Sequence, residues 1–311
     1  MRIAYIHTLP HRVGSAYKYF DFMQHHFRGE IVAGVDGVAY DLAIVRGDRH
    51  KDWTIPLQAG IPYILIEHDS ASMREGSILG FERKRMACAR AAIFTCESVR
   101  DYYRNIHYPL PYHEVIHLRP LRQDIVVDPL PKLPSKHLVY CGGVVSWESR
   151  KRRFGYRAYH AIFAAFVDAG WTVHFYPTQP YLYEDYKEVG CVSHKPLPYS
   201  EMLREISQYT AGFVGYNSVD VPEVAFRYSQ ICRPNKTWDY LAAGIPTIGY
   251  QCGTTGDIFA GRWGVVVHDL HKQTLNNIQL PHVYESDRHE QVMDNDLPLF
   301  ERVLAHAVDA C

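Results

Sequence analysis

The fold of this chain is decided by the segment Arg233-Pro234-Asn235-Lys236-Thr237-Trp238-Asp239-Tyr240-Leu241-Ala242-Ala243-Gly244-Ile245-Pro246. A proline precedes an apolar-rich run and a glycine follows it, which are common start and stop signals of a short helix. The apolar run Thr247 to Tyr250 comes next and predicts a buried strand. A helix that leads through glycine into a buried strand is typical of parallel α/β sheets.

The same alternation of short apolar runs and helical patterns extends along most of the chain, which predicts buried parallel strands separated by helices. The predicted strands are Ile3 to Ile6, Leu42 to Val45, Tyr63 to Ile66, Ala92 to Cys96, Glu114 to Leu118, His137 to Cys141, Trp171 to Tyr176, Thr210 to Gly215, Thr247 to Tyr250 and Val265 to Val267. A long helix is expected from about Arg150 to Ala169.

Prolines replace these patterns between Arg119 and Lys136, as in an interdomain linker. We therefore expect an N-terminal Rossmann-like domain over 1–133 and a C-terminal one over 134–285. A helical tail over 286–311 would pack back on the first domain. The expected fold class is α/β, with two doubly wound domains and a ligand cleft between them.

The composition is that of an ordinary globular protein, with 311 residues, 47% hydrophobic, 22% charged, and a formal net charge of −1. Seven scattered cysteines without a CxxC pair are typical of free thiols in a reducing cytosol. No apolar run is long enough for a signal peptide or a membrane span. These features predict a soluble, cytoplasmic protein without integral membrane contact.

Lys236 and Asp239 are three residues apart and so share one face of the short helix. An ammonium there can bind a phosphate, and a carboxylate can accept hydrogen bonds from ribose hydroxyls. The alternative interpretation is a solvated surface ion pair.

Two glycine-containing turns follow predicted strands of the second domain. Gly142-Gly143 precedes the basic run Arg150 to Arg153, where backbone N–H groups and a cation such as Lys151 or Arg153 could hold a diphosphate. The alternative for this run is a solvated face. The turn of Gly253, Thr254 and Thr255 is a second candidate anion cradle.

In the first domain, His68 and Asp69 emerge directly from a buried strand, at the sheet edge where α/β proteins bind ligands. His68 could stabilise charge on a reacting group, and Asp69 could fix its tautomer. A purely structural His-Asp pair is the alternative. The sequence contains no GxSxG elbow and no P-loop, and its eighteen histidines lack an acid-rich or cysteine-rich frame, so no metal site is predicted.

The segment from Pro234 to Pro246 resembles the pattern PNKxxEYLAAGxP of glycogen-synthase-like retaining glycosyltransferases, which have the GT-B fold. The resemblance implies that Asp239 holds the donor ribose and that Arg153 grips the pyrophosphate. It also aligns Gly14 with a small loop of the acceptor-side domain. Ile231 stands where this family often has a glutamate; Glu223 is either a substitute sugar contact or a surface carboxylate.

The order His68-Asp69, Arg74, Leu79-Gly80-Phe81-Glu82 also resembles phage DNA α-glucosyltransferases. Arg74 is accordingly a candidate sugar or acceptor contact.

Together the resemblances imply sugar transfer from a nucleoside-diphosphate sugar to an acceptor hydroxyl, with retention of configuration and without a required cofactor or metal. The acceptor would be a glycan, a lipid or a small molecule. One alternative is a hydroxylated base in duplex DNA, approached by the basic clusters Arg83-Lys84-Arg85 and Arg150 to Arg153. Another is a non-catalytic module that binds a nucleotide sugar or a glycan.

Overall fold

The computed structural model describes residues 1–8, 16–47, 50–68, 71–76, 79–177 and 182–309. The chain divides into two compact units, Met1–Leu121 with Val292–Cys311 (unit 1) and Arg122–Gln291 (unit 2). The sequence placed these divisions at 133/134 and 285/286. The residues between 122 and 133 belong to unit 2, where the Leu133 N–H donates to the Gln208 carbonyl and the Val126 N–H to the Ala242 carbonyl.

Unit 1 is built on a six-stranded parallel sheet with the strand order β2-β1-β3-β4-β5-β6. Its strands are β1 (Ile3–Ile6), β2 (Glu30–Val32), β3 (Leu42–Arg46), β4 (Tyr63–Glu67), β5 (Ala91–Phe94) and β6 (Tyr112–Val115). Its helices are α1 (Ala16–Phe27), α2 (His50–Ala59), α3 (Ala71–Glu75), α4 (Gly80–Cys88), α5 (Glu97–Asn105) and, from the end of the chain, α14 (Leu297–Asp309).

Each face of this sheet has its own core, because successive strand residues point to opposite sides. In β1, Ile3 and Tyr5 belong to one buried cluster, whereas Ala4 and Ile6 belong to the other. The first cluster is completed by α14, whose apolar residues recur every three or four positions. These are Phe300, Val303, Leu304 and Ala307, all buried.

The segment that leads into α14 is held to unit 1 by polar contacts as well. The Met293 N–H donates to the carbonyl of Pro120, and Arg119 forms an ion pair of 3.3 Å with Asp296. The ring of His306 stacks on Tyr112 at 4.3 Å between centroids. The C-terminal helix is therefore part of the N-terminal core.

Unit 2 repeats the plan with the strand order β12-β11-β10-β7-β8-β9, again with all strands parallel. Its strands are β7 (His137–Gly142), β8 (Thr172–Pro177), β9 (Val192–Ser193), β10 (Ala211–Gly215), β11 (Thr247–Tyr250) and β12 (Gly264–Val267). Its helices are α6 (His160–Asp168), α7 (Tyr183–Lys187), α8 (Tyr199–Ile206), α9 (Glu223–Ile231), α10 (Lys236–Ala242), α11 (Gly256–Phe259), α12 (Lys272–Asn276) and α13 (Glu285–Glu290).

The predicted helix from Arg150 to Ala169 is wrong in its first half. Two short 3₁₀ segments, Trp147–Lys151 and Gly155–Arg157, precede α6. The chain folds back tightly at Gly155, where an added Cβ would lie 1.7 Å from the carbonyl oxygen of Arg150. Only glycine fits there, and a continuous helix cannot form through this reversal of the chain.

In the part of the chain that the structure describes, no helix is both long and apolar enough to cross a membrane.

Candidate functional site

The candidate site of unit 2 lies at the carboxyl edge of its sheet, where β7 ends in the Gly142-Gly143 turn. Gly142 has φ +139°, a conformation that residues with a Cβ rarely adopt. A Cβ there would lie 3.5 Å from Nζ of Lys236. The turn and the first residue of α10, nearly one hundred positions apart in the chain, are therefore neighbours.

Lys236 is held by an aromatic hydroxyl. Its Nζ donates to the Tyr140 hydroxyl at 2.9 Å and lies 4.0 Å from the centre of that ring, and the same hydroxyl donates to the Gly143 carbonyl at 2.8 Å. Burial, and after it the positive charge of Arg157, lower the pKa of Lys236 to about 7. A bound anion would favour the charged form of Lys236.

Arg157 is the cation that the sequence analysis missed. Its guanidinium lies 5.4 Å from the ring centre of Tyr156 and 5.6 Å from that of Phe154. Its backbone is fixed beside the glycine turn, because the Val145 N–H donates to the Arg157 carbonyl at 3.2 Å. The only signal in the sequence was an arginine directly after the aromatic run Phe154-Gly155-Tyr156.

The predicted phosphate-binding residues Lys151 and Arg153 are both exposed. Lys151 ends a 3₁₀ segment, and Arg153 lies 5.3 Å from the ring centre of Phe154. Arg150 is paired with Asp220 at 3.0 Å and lies over the ring of Trp147. Among the described residues, the arginine whose charge acts on Lys236 is Arg157, not Arg153.

Asp239 lies on α10 as predicted and is only 8% exposed. Its Oδ1 accepts a hydrogen bond of 2.7 Å from the hydroxyl of Tyr199, the first residue of α8. Lys236 and Asp239 thus have different partners within unit 2, and the alternative of a solvated surface ion pair is wrong.

The loop of Gly253, Thr254 and Thr255 follows β11, as the sequence suggested. The Thr255 hydroxyl is fully buried and donates to the Cys232 carbonyl at 2.9 Å; the Thr254 hydroxyl donates to the Gln230 carbonyl at 3.4 Å. The two hydroxyls therefore fasten the loop to the end of α9, just before Lys236. Gly253 is exposed and has φ +50°.

Glu223 begins α9, and its side chain is 85% exposed. It forms an ion pair of 2.9 Å with Arg227, one turn further along the same helix. This environment fits the second interpretation of Glu223, a surface carboxylate.

In unit 1, His68 follows β4 directly at the carboxyl edge of the sheet. Its carbonyl accepts a hydrogen bond of 3.2 Å from the Thr95 hydroxyl, which comes after the neighbouring strand β5. Arg74 lies on α3 and is partly buried. The predicted residues Gly14 and Asp69 lie outside the described residues.

Beneath His68 is a cluster of buried charges that the sequence analysis assigned differently. Arg85 was predicted to belong to a surface basic cluster, but it is 1% exposed and bonded to the carboxylates of Glu67 and Glu82. Only Arg83 and Lys84 of that cluster are exposed. The prediction failed because α4 turns its third basic residue towards the core.

The run His113-Glu114-Val115-Ile116-His117 matches the HExxH pattern of zinc proteases, which requires both histidines on one face of a helix. Here residues Tyr112–Val115 form β6. His113 bonds to Arg104 and the Pro111 carbonyl, and Glu114 bonds to Arg302. Among the described residues, no group of three or more potential ligands is arranged to hold a metal ion.

Comparison with solved structures identifies proteins of the same fold. The chain is similar to AviGT4, a glycosyltransferase involved in avilamycin A biosynthesis, with a TM-score of 0.61 and 14% identity over 98% of this chain and 96% of that one. It is also similar to Anabaena HepE in complex with UDP, with a TM-score of 0.60 and 11% identity over 100% and 93% of the two chains.

A third similar structure is the GtfA/B complex, with a TM-score of 0.57 and 13% identity; the match covers 86% of this chain but only 57% of that one. These similarities confirm the predicted GT-B fold class, with two Rossmann-like sheets. No family model matches the sequence, and no curated protein matches it.

Proposed function

We propose that this protein is a glycosyltransferase that binds a nucleoside-diphosphate sugar in unit 2 and transfers the sugar to an acceptor hydroxyl. The observation that carries the proposal is the pair of cations Lys236 and Arg157 beside the Gly142-Gly143 turn. The side chains that contact them among the described residues are those of Tyr140, Phe154 and Tyr156. Two neighbouring positive charges without a carboxylate between them favour a doubly charged ligand such as a diphosphate.

The remaining residues of this edge fit the other parts of such a donor. Asp239 lies one helical turn from Lys236, its Oδ1 is bonded to Tyr199, and its carboxylate is the group that we assign to the ribose hydroxyls. The glycines of the turn let the backbone approach a phosphate closely. A departing diphosphate needs stabilisation of its developing charge, and the two cations supply it without a metal ion.

The similar structures support the same choice of ligand. Anabaena HepE has been solved in complex with UDP and glucose, and a pneumococcal O-GlcNAc transferase with UDP and GlcNAc. We therefore take UDP-sugars as the first donors to test. Retention of configuration is proposed on the resemblance of the Pro234 to Pro246 segment, and a cytoplasmic location on the free cysteines.

In unit 1 we assign His68 to the acceptor side, where it stabilises charge on the reacting sugar or orients the acceptor hydroxyl, with Asp69 and Arg74 as its neighbours in sequence. A glycan, a lipid or a small molecule remains the proposed acceptor. The DNA alternative is weakened, because Arg85 is buried and Arg150 is paired with Asp220.

The test combines calorimetry with a donor-hydrolysis and transfer assay. We expect UDP and at least one UDP-sugar to bind more tightly than uridine, and the bound UDP-sugar to be hydrolysed slowly or transferred. Binding without any turnover would indicate the non-catalytic module. Absence of binding to every nucleoside diphosphate tested would refute the proposal, and duplex binding that weakens with salt would restore the DNA alternative.

A further inference from the structure

His68 directly follows a residue of a buried ionic cluster. Glu67, the last residue of β4 and the neighbour of His68, is fully buried, and its carboxylate receives a bidentate contact from Arg85. Arg85 Nη2 lies 2.7 Å from Oε1 of Glu67, and Arg85 Nε lies 3.1 Å from Oε2. Glu67 therefore has no freedom to move independently of α4.

A second carboxylate joins the same cluster. Oε1 of Glu82 lies 3.3 Å from Arg85 Nη2, and the hydroxyl of Tyr103 lies 3.0 Å from Glu67 Oε1 and 3.2 Å from Glu82 Oε1. Tyr103 thus bridges the two carboxylates. The cluster connects β4, α4 and α5.

Glu82 also contacts the helix α3. Its Oε2 accepts the backbone N–H of Ser72 at 3.1 Å, in the first turn of α3, which carries Arg74. One network therefore fixes the residue before His68 and the helix that begins three residues after it.

Packing leaves the Glu67 carboxylate a single position. An added Cβ at Gly47 would lie 2.2 Å from its Oε2, so a larger residue there must displace the carboxylate. Burial raises the pKa of Glu67 to about 7, against the opposing effect of Arg85. Two carboxylates and one guanidinium in a core are expensive to desolvate, and apolar residues of similar size often stabilise a fold at least as well. Such a network therefore needs an explanation other than stability.

We infer that Glu67, Glu82, Arg85 and Tyr103 act as positioning residues that hold His68 and Arg74 in the geometry required for sugar transfer. This inference rests on the proposed function, because it assigns the cluster to the acceptor side of that reaction. A displacement of about 1 Å in a reacting group is enough to lower turnover by up to ~100-fold.

Two mild substitutions test the inference without removing a charge. Tyr103→Phe deletes the bridging hydroxyl, and Gly47→Ala pushes the Glu67 carboxylate. Gly80→Ala is the matched control, because it adds the same methyl group at the start of α4, where no atom of the described residues lies within 4 Å. The readouts are turnover, the donor dissociation constant, the thermal midpoint, and the imidazole NMR signal of His68, assigned with His68→Gln.

We expect Tyr103→Phe and Gly47→Ala to lower turnover by roughly tenfold or more, with an unchanged donor dissociation constant and a shifted His68 signal. Gly80→Ala should match the wild type in all four readouts. A lower thermal midpoint with wild-type turnover and a wild-type His68 signal would overturn the inference, since the cluster would then only stabilise the unit.

The His68 signal separates this inference from the proposed function. If the wild-type protein binds no nucleoside diphosphate, the proposed function fails, yet the comparison of Gly47→Ala with Gly80→Ala still reports on positioning. A shift in Gly47→Ala alone supports the positioning role, and identical signals in both variants contradict it.

Discussion

The two units place their buried and partly buried cations in opposite electrostatic settings. In unit 1, Arg85 is enclosed by the carboxylates of Glu67 and Glu82. In unit 2, the described contacts of Lys236 and Arg157 are with tyrosine and phenylalanine side chains, and neither forms an ion pair with a described carboxylate. A cation that is paired with buried carboxylates fixes the elements around it, whereas two neighbouring cations without an ion-paired carboxylate attract an anion from outside. Whether a cation has carboxylate partners therefore distinguishes a positioning role from a binding role better than its burial does.

The largest effect is expected when the cation of the buried cluster in unit 1 is removed. Arg85→Met leaves two buried carboxylates without their cation, which should lower the free energy of unfolding by about 3 to 5 kcal/mol. Arg83→Met, on the exposed face of the same helix, should change it by less than about 0.5 kcal/mol. Chemical denaturation of both variants gives the comparison. Equal effects would mean that Arg85 is not the centre of the cluster.

Arg157→Gln should weaken binding of UDP by about 1.5 to 3 kcal/mol, the scale of a lost charge-assisted hydrogen bond, and should leave the affinity for uridine unchanged. The matched control is Arg153→Gln, which should bind UDP as the wild type does. Calorimetry with both ligands distinguishes the two arginines. A loss confined to Arg153→Gln would return the diphosphate to the position that the sequence predicted.

Asp239→Ala should weaken binding of both UDP and uridine by about 1 to 3 kcal/mol, because both ligands contain the ribose whose hydroxyls would lose their acceptor. Tyr199→Phe should weaken them less, by about 0.5 to 1.5 kcal/mol, since only the orientation of the carboxylate is lost. Glu223→Gln serves as the control and should have no effect. Donor affinity that depends on Glu223 would contradict its interpretation as a surface carboxylate.

The smallest effect concerns pH. Lys236 has a pKa of about 7 in the free protein, well below its ordinary value, so it is largely uncharged at pH 8. A diphosphate favours the charged form, so binding at pH 8 should take up a proton, and affinity should fall as pH rises above 7. The unfolded chain holds this proton up to its ordinary pKa of 10.5, so Lys236 makes the free energy of unfolding rise with pH between about 7 and 10.5.

Calorimetry at pH 8 in two buffers of different ionisation enthalpy measures that proton uptake. Lys236→Gln should abolish it. The same uptake in Lys236→Gln would assign the proton to another group.

The sequence predicted the fold well because buried parallel strands are continuous apolar runs, and α10 well because a proline and Gly244 bound it. It did not point to Arg157, because Arg153 was chosen on the family resemblance and on an expected helix whose first half does not form. At Gly155 the chain folds back against the backbone of Arg150. A contact between backbone atoms leaves no hydrophobic periodicity in the sequence, so the sequence could not predict it. Glu67 and Arg85 lie 18 positions apart on two different elements. Because the sequence does not show that they meet, the basic run Arg83-Lys84-Arg85 was interpreted as a surface cluster.

The C-terminal helix gives unit 1 an unusual place in the order of synthesis. Unit 2 is one continuous stretch, Arg122–Gln291, and is synthesised in full before Phe300, Val303, Leu304 and Ala307 of unit 1. Domains generally fold as units during synthesis. The half that is made first is therefore completed last, and the face of its sheet that α1 covers in part waits for α14 to complete its core.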